Sequence, residues 1–378
     1  MKKMRDAFQT HKKEKITAIL FLIVIFGMLI GMITTTEDLG EGFLLAYRTN
    51  VPTGAPYLVR IEGAIDAAEN AVNEGAYHRQ EYVELYGLSQ LLMGKNIITD
   101  YNYGALYKTN YNQITFAVSD RFVPDSYMAT YELVNRLQQD DIDFLYIQLP
   151  FKIPPEQYGG ALQLPENVHD HANENADTFV WGLEVAGVDT YDVRDDFWSG
   201  KTQNELFFNT DHHWTIEGAF YTTGLIADFL NQHYDMQIPE GLFSAENFRF
   251  KTYEDFYLGS MGRRVGRIYG GVDDFTLITP DFETDYTLVQ IEGEGRKEQN
   301  GSFEEAVLEW DYIEDPNIST NRYAVYHGDY EELRFLNHKA QNDKKVLIIK
   351  DSFGIPIYSF LSLGLREVRA IDLRLFEK

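Results

Sequence analysis

An apolar strand that runs into a serine and then directly into a helix leaves few folds open. Lys344–Phe353, KKVLIIKDSF, is followed by GIPIYSFLSLGL and REVRAIDLRLF, which reads strand, turn, helix, strand. Strands joined through a crossover helix pair in parallel and belong to α/β architectures. The same alternation occurs upstream. Ser126–Gln139 reads as an amphipathic helix and Asp143–Gln148 as a buried strand opening onto LPFKIPP. Asn175–Ala186 and Val188–Val193 repeat the pattern, and Ile216–His233 reads as a further helix with Thr215 as its N-cap. The expectation is a mostly parallel sheet flanked by helices. Ser352 then sits at a strand's C-terminal end, before a helix starting near Pro356. Taken alone, Asp351 or Ser352 reads equally well as a helix cap.

The partner that gives Ser352 chemical meaning is Asn209–Thr215, NTDHHWT. A serine hydroxyl becomes nucleophilic when a base removes its proton, and the base in turn needs an orienting group. Asp211 and His213, separated by one residue, can supply the carboxylate and the base. In an extended stretch adjacent side chains face opposite sides, so His212 is expected to point away. A metal centre is the competing chemistry, with Asp211, His212 and His213 joined by His169 and His171 of VHDHAN. No ligand pair has helical H-x-x-x-H spacing. Trp214 reads as packing beside the base.

Composition fixes the setting. Six Lys or Arg stand among the first fifteen residues against Asp6 and Glu14, a net of +4, and the whole chain carries −26, so the remainder carries about −30. Such acidity argues against nucleic acid and anionic lipid surfaces, and is compatible with a neutral or cationic substrate. There are no cysteines, which excludes a Cys nucleophile, thiolate metal sites and disulfides. Ile16–Ile33 is uncharged and apolar over 18 residues, about 27 Å as a helix, close to the hydrocarbon thickness of a bilayer. It lacks a small-residue cleavage site, and its basic flank precedes it. The expected organisation is a cytoplasmic basic tail over 1–15, a single-pass anchor over 16–34, a juxtamembrane connection over 35–62 and an extracytoplasmic domain over 63–378. Ala64–Gly94 has helical periodicity and Tyr101–Val118 alternates like strands. Residues 240–336, rich in Tyr, Phe, Gly and acidic residues, read as a β-rich insertion. Within it, GSMGRRVG (259–266) reads as a turn or as a loop at the substrate's edge.

DHHW followed by T-x-x-G-A, with K-D-S-F after an apolar strand and a later D-L-R, resembles the DHHW protein family of Gram-positive bacteria. That family is related to the SGNH-hydrolase-like domains of the alginate O-acetyltransferases, which place a D-x-H-W motif upstream of G-D-S-[FY]. The resemblance covers roughly Tyr127–Gly224 and Lys344–Phe376. It implies Ser352 as nucleophile, His213 as base and Asp211 as its orienting carboxylate. It implies Lys152 in a P-x-K-like segment, with Tyr358 and Arg374 as contacts to the acyl or sugar group. Lys350 stands where the G-D-S pattern has glycine, and the sequence stops soon after DLRLF, so a last strand or helix of the core is expected to be missing. The implied activity is transfer of acetyl groups to hydroxyls of a surface polysaccharide, with a multi-pass membrane acyltransferase as donor and no diffusible cofactor. An esterase with the same three residues, and an inactive anchored glycan-binding protein, are the alternatives.

Overall fold

A computed structural model of the chain describes residues 14–23, 25–27, 30–31, 36–51, 55–75, 77–100, 104–121, 124–155, 157–158, 162–199 and 206–375. The chain divides into two compact units, Met1–Leu85 and Tyr86–Lys378. In the first unit, helices α1 (Thr36–Asn50) and α2 (Tyr57–Gly75) pack on each other. Helix α3 (Arg79–Leu92) follows after a break at His78, whose φ is 58°. Among the described residues no helix is long and apolar enough to cross a membrane. Residues 24, 28, 29 and 32–34 of the expected anchor, and 1–13 of the basic tail, lie outside the described residues.

The second unit opens with a small antiparallel sheet, β1 (Ile97–Asp100), β2 (Gly104–Lys108) and β3 (Ile114–Thr115). Its apolar side chains Ile98, Leu106 and Ile114 form a separate small core with Met261, Val265 and Tyr269. Helix α4 (Pro124–Gln138), strand β4 (Tyr146–Gln148), helix α5 (Ala172–Val185) and strand β5 (Thr190–Asp192) follow, with β4 and β5 parallel. A short helix α6 (Arg194–Trp198) leads towards the DHHW segment. Helix α7 (Ile216–Tyr234) starts where the sequence predicts: the Thr215 hydroxyl accepts from the Gly218 amide at 3.1 Å. Its buried face, including Ile216, Ala219, Phe220 and Ile226, joins the main core.

Among the described residues the expected mostly parallel sheet does not form. Strands β6 (Phe248–Tyr257) and β7 (Asp273–Pro280) make an antiparallel pair of their own. The largest sheet has the order β11 (Lys345–Ile349), β12 (Glu367–Ile371), β10 (Glu332–Asn337), β8 (Tyr286–Glu292), β9 (Gly295–Gly301). Only β11 and β12 in it are parallel; the other three pairs are antiparallel. The physical cause lies in the stretch read as an insertion. A two-residue connection at Gly293, with φ 55°, can join only antiparallel neighbours, so β8 and β9 form a hairpin. β10 then carries that hairpin onto β12. Residues 240–336 are indeed strand-rich, but β8, β9 and most of β10 extend the C-terminal sheet and are not an excursion from it. Leu288, Phe335 and Val368 lie in register across it and are fully buried. Helix α8 (Gly354–Leu361), buried on all sides, links β11 to β12 and packs on α7.

Candidate active site

The Asp211 loop is anchored before it is functional. Residues 206–215 double back on themselves: Phe207 bridges Trp214, the Phe208 amide donates to the His213 carbonyl at 3.2 Å, and the Thr215 amide to Leu206 at 3.0 Å. Three other parts of the chain grip the turn. The buried Lys152 ammonium donates to the carbonyls of Ile114 (2.6 Å), Asn209 (3.2 Å) and Asp211 (2.8 Å). The Asp273 carboxylate accepts the amides of Asn209 (2.7 Å) and Thr210 (2.8 Å) and the Thr210 hydroxyl (2.5 Å). From the 259–266 loop, the Gly259 amide donates to the Thr210 hydroxyl at 2.8 Å, and the Met261 and Gly262 amides to the Thr210 carbonyl at 3.0 and 2.8 Å. A β-carbon at residue 259 would lie 2.4 Å from that of Asp211, so only glycine allows this approach.

On this support Asp211, His213 and Ser352 come together. Asp211 Oδ1 lies 2.6 Å from His213 Nδ1 and accepts the His213 amide at 3.0 Å. Its Oδ2 accepts the Ser260 amide at 2.6 Å and the Tyr257 hydroxyl at 3.1 Å. Burial alone would raise the Asp211 pKa, but its hydrogen bonds and the adjacent imidazoles hold it well below the usual carboxylate range. A carboxylate at Nδ1 selects the tautomer with its proton there and leaves Nε2 as acceptor. Nε2 lies 2.8 Å from Ser352 Oγ. The ring stacks on Tyr323, with centroids 4.3 Å apart and planes at 18°. Trp214, fully buried, donates from Nε1 to the Tyr323 hydroxyl at 2.7 Å and so fixes the surface beneath the base.

Ser352 stands in the turn between β11 and α8. Asp351 caps the turn through its own carboxylate, which accepts the Phe353 amide at 3.0 Å, so the serine hydroxyl is spared that duty. Lys350 is neither exposed nor idle. Its ammonium pairs with Asp329 and, at 3.0 Å, with the fully buried Asp372, tying the serine turn to the end of β12. A β-carbon at Gly354 would meet that of Lys350 at 2.8 Å, so the lysine in place of a small residue requires glycine four positions on.

This geometry corrects the expectations for Lys152, Tyr358 and His212, and shows which neighbours engage Arg374. Lys152 does not face a substrate: it is buried and its three hydrogen bonds all go to backbone. Burial lowers its pKa to about 8, against the opposing pull of Asp273 and Asp211. Tyr358 is also buried, its hydroxyl donating to the carbonyls of His327 and Gly328. Arg374, half exposed, is engaged by Asp372 and by Asp329 at 3.1 Å. His212 is not turned away. Residues 209–213 are bends and not a strand, so alternation does not apply; its ring centroid lies 3.8 Å from that of His213. Burial brings its pKa down to about 4, and it stands as a neutral wall beside Phe116 and Phe353, each about 6 Å away. The five-residue metal cluster does not assemble; Asp211, His212 and His213 form one group and His169, His171 and Glu174 another. Tyr257, Asp273 and Tyr323 were missed, since nothing local marks them; the glycine spacing of 259–266 was the one usable signal.

Fold and site together resemble those of SGNH-hydrolase-like α/β domains. Residues 113–262 match the family model described as the SGNH hydrolase-like domain of acetyltransferase AlgX. That span includes Lys152, Asp211 and His213 and stops short of Ser352. PatB1 of Bacillus cereus has the same fold: 22% identity, a TM-score of 0.58, 75% of this chain and 88% of that one covered. A second PatB1 structure, with a sulfonyl adduct, is 19% identical at a TM-score of 0.58, covering 74% of this chain and 89% of that one. A DHHW family protein from Eubacterium siraeum superposes at 0.52 with 17% identity, covering 75% of this chain and 86% of that one. No curated protein matches the chain.

Two predictions follow from the anchored loop. Replacing Lys152 by Met takes the ammonium donor from the buried carbonyls of Ile114 and Asp211 and leaves that of Asn209 only the Ile114 amide, and should cost on the order of 2–4 kcal/mol. Chemical denaturation measures this, and an unchanged midpoint would show that the ammonium is dispensable. At His212 the unfolded chain takes up a proton near pH 6.5, the folded one only near pH 4. The unfolded state thus binds more protons in that window, and stability should fall as pH drops through it. Denaturation at pH 7 and pH 5 should show a smaller drop for His212→Gln than for the native chain.

Proposed function

We propose that this chain is an extracytoplasmic O-acetyltransferase that passes acetyl groups to hydroxyls of a cell-surface polysaccharide through an acyl-Ser352 intermediate. The observation that carries the reading is the 2.8 Å contact of Ser352 Oγ with His213 Nε2, backed by the buried Asp211 anion. Ser352 Oγ attacks the donor's acyl carbonyl while its proton passes to Nε2, and Asp211 stabilises the resulting imidazolium. The Ser352 amide, which has no acceptor among the described residues, is a donor available to the oxyanion. Collapse releases the leaving group, which takes the proton from Nε2. A sugar hydroxyl then gives its proton to Nε2 and attacks the acyl carbon, restoring the serine. The acidity of the domain favours a neutral or cationic glycan.

A fluorophosphonate probe tests the first half of this cycle. Ser352→Ala should abolish labelling, His213→Ala should slow it at least ~10³-fold, and Asp211→Asn by a similar order. His212→Ala should stay within about tenfold of the native rate. Labelling that persists in Ser352→Ala, or equal loss at both histidines, would sink the reading. With p-nitrophenyl acetate as donor, acetylated oligosaccharide should form in preference to free acetate. Acetate alone would make the protein an esterase.

The reading extends to topology. Residues 16–34 anchor the chain with 1–15 in the cytoplasm, and a multi-pass membrane acyltransferase supplies the acetyl group. Supporting this, the described part of that stretch is helical and exposes Leu20, Phe21, Ile23 and Phe26. Protease added to intact cells should digest the domain; complete protection, with a known surface protein degraded, would refute this arrangement.

A further inference from the structure

Beyond the acyl-transfer centre, one more cluster of ligating side chains stands among the described residues, on the other side of the segment that walls the site. His169, His171 and Glu174 each offer one donor atom within 4.8 Å of the other two. The rings of His169 and His171 meet at 4.3 Å, and Asp170 between them accepts the Val118 amide at 2.6 Å. Glu174 lies in the first turn of α5. At that position a glutamate ordinarily reaches back to the amide before the helix. Here the His171 amide is taken by the Val118 carbonyl at 2.9 Å, and both carboxylate oxygens face imidazoles. Oε1 is 2.8 Å from His169 Nε2 and Oε2 is 2.5 Å from His171 Nδ1, with the rings edge-on at 4.3 Å.

We propose that His169, His171 and Glu174 bind a divalent transition-metal ion of the zinc class, with a fourth position open to water. Donors about 2.1 Å from a tetrahedral ion lie about 3.4 Å apart, a spacing that three donor atoms already within 4.8 Å of one another reach by side-chain adjustment. Two imidazoles and a carboxylate form a borderline-soft set that suits zinc over calcium or magnesium. The strongly acidic chain raises the local cation concentration. Exposure of the three side chains, 64%, 33% and 56%, leaves room for the water ligand and for entry. The ion acts as a clamp. It would fasten the 169–171 loop to α5, and that loop holds Val118, four residues past Ile114, whose carbonyl Lys152 grips, and two past Phe116, which faces His212. Metal loading therefore stiffens the wall of the acyl site without touching the reacting atoms.

The test is equilibrium dialysis of the full chain against Zn²⁺, with bound metal counted per chain. The native protein should bind about one equivalent saturably. His171→Ala and Glu174→Gln should each weaken binding at least about tenfold, and His213→Ala should leave it intact. Any other pattern overturns the proposal, including no saturable binding or loss confined to His213→Ala. Since a variant could fail for lack of folding, a second measurement uses the unaltered protein. Zn²⁺ should shield His169 and His171, and not His233, from diethylpyrocarbonate, read by peptide mass spectrometry; equal modification of all three overturns the site.

Discussion

The Lys152 ammonium, buried among three backbone carbonyls, is the interaction on which the rest of the site depends. A charge there is costly to desolvate and is tolerated because every proton has an acceptor and two carboxylates, Asp211 and Asp273, lie close by. What it holds in place is not a side chain but the course of the main chain at residues 209–211. The Asp211 carboxylate then needs only its two local contacts to set the imidazole. A lysine of this kind acts through position. Its removal would disturb catalysis without its ever meeting a substrate.

The serine half uses the same device in another place. Lys350, Asp329, Asp372 and Arg374 form a network of alternating charges under the turn, and the buried Asp372 receives both cations. Both reacting groups thus sit on irregular backbone pinned by buried lysines. The aromatic stack of His213 on Tyr323, clamped by Trp214, fills the space between them. Such pinning suits a site whose reacting atoms must be held to a few tenths of an ångström.

The readable features were the local ones. The strand, turn and helix around Ser352 announce themselves because apolar periodicity and the serine lie within some fifteen residues. Asp211 and His213 were legible through their spacing and through resemblance to the DHHW pattern. The antiparallel sheet was not, because β10 and β12 lie some thirty residues apart and strand pairing leaves no periodic trace. Lys152 and Tyr358 were found as residues and misread in role. A polar side chain after a strand looks the same in sequence whether it faces a ligand or its own backbone. His212 was misplaced for a simpler reason, an alternation rule applied to a turn.

The two halves of the site also differ in how far along the chain their supports are drawn. Ser352 rests on β11, α8 and β12 and on the charges of Asp329, Asp372 and Arg374 beneath the turn, a stretch of about 45 positions. The His213 loop requires Ile114, Lys152, Gly259 and Asp273 to be gathered from across more than 150 positions. Closing such long loops is the slow part of folding. Contact separation thus predicts that the Ser352 segment forms before the His213 loop. Until the last long-range contacts close, the serine has no partner to activate it. On the acyl-transfer reading, an incompletely folded molecule would lack the base that activates its serine, and burial of Trp214 in refolding would coincide with the return of probe reactivity.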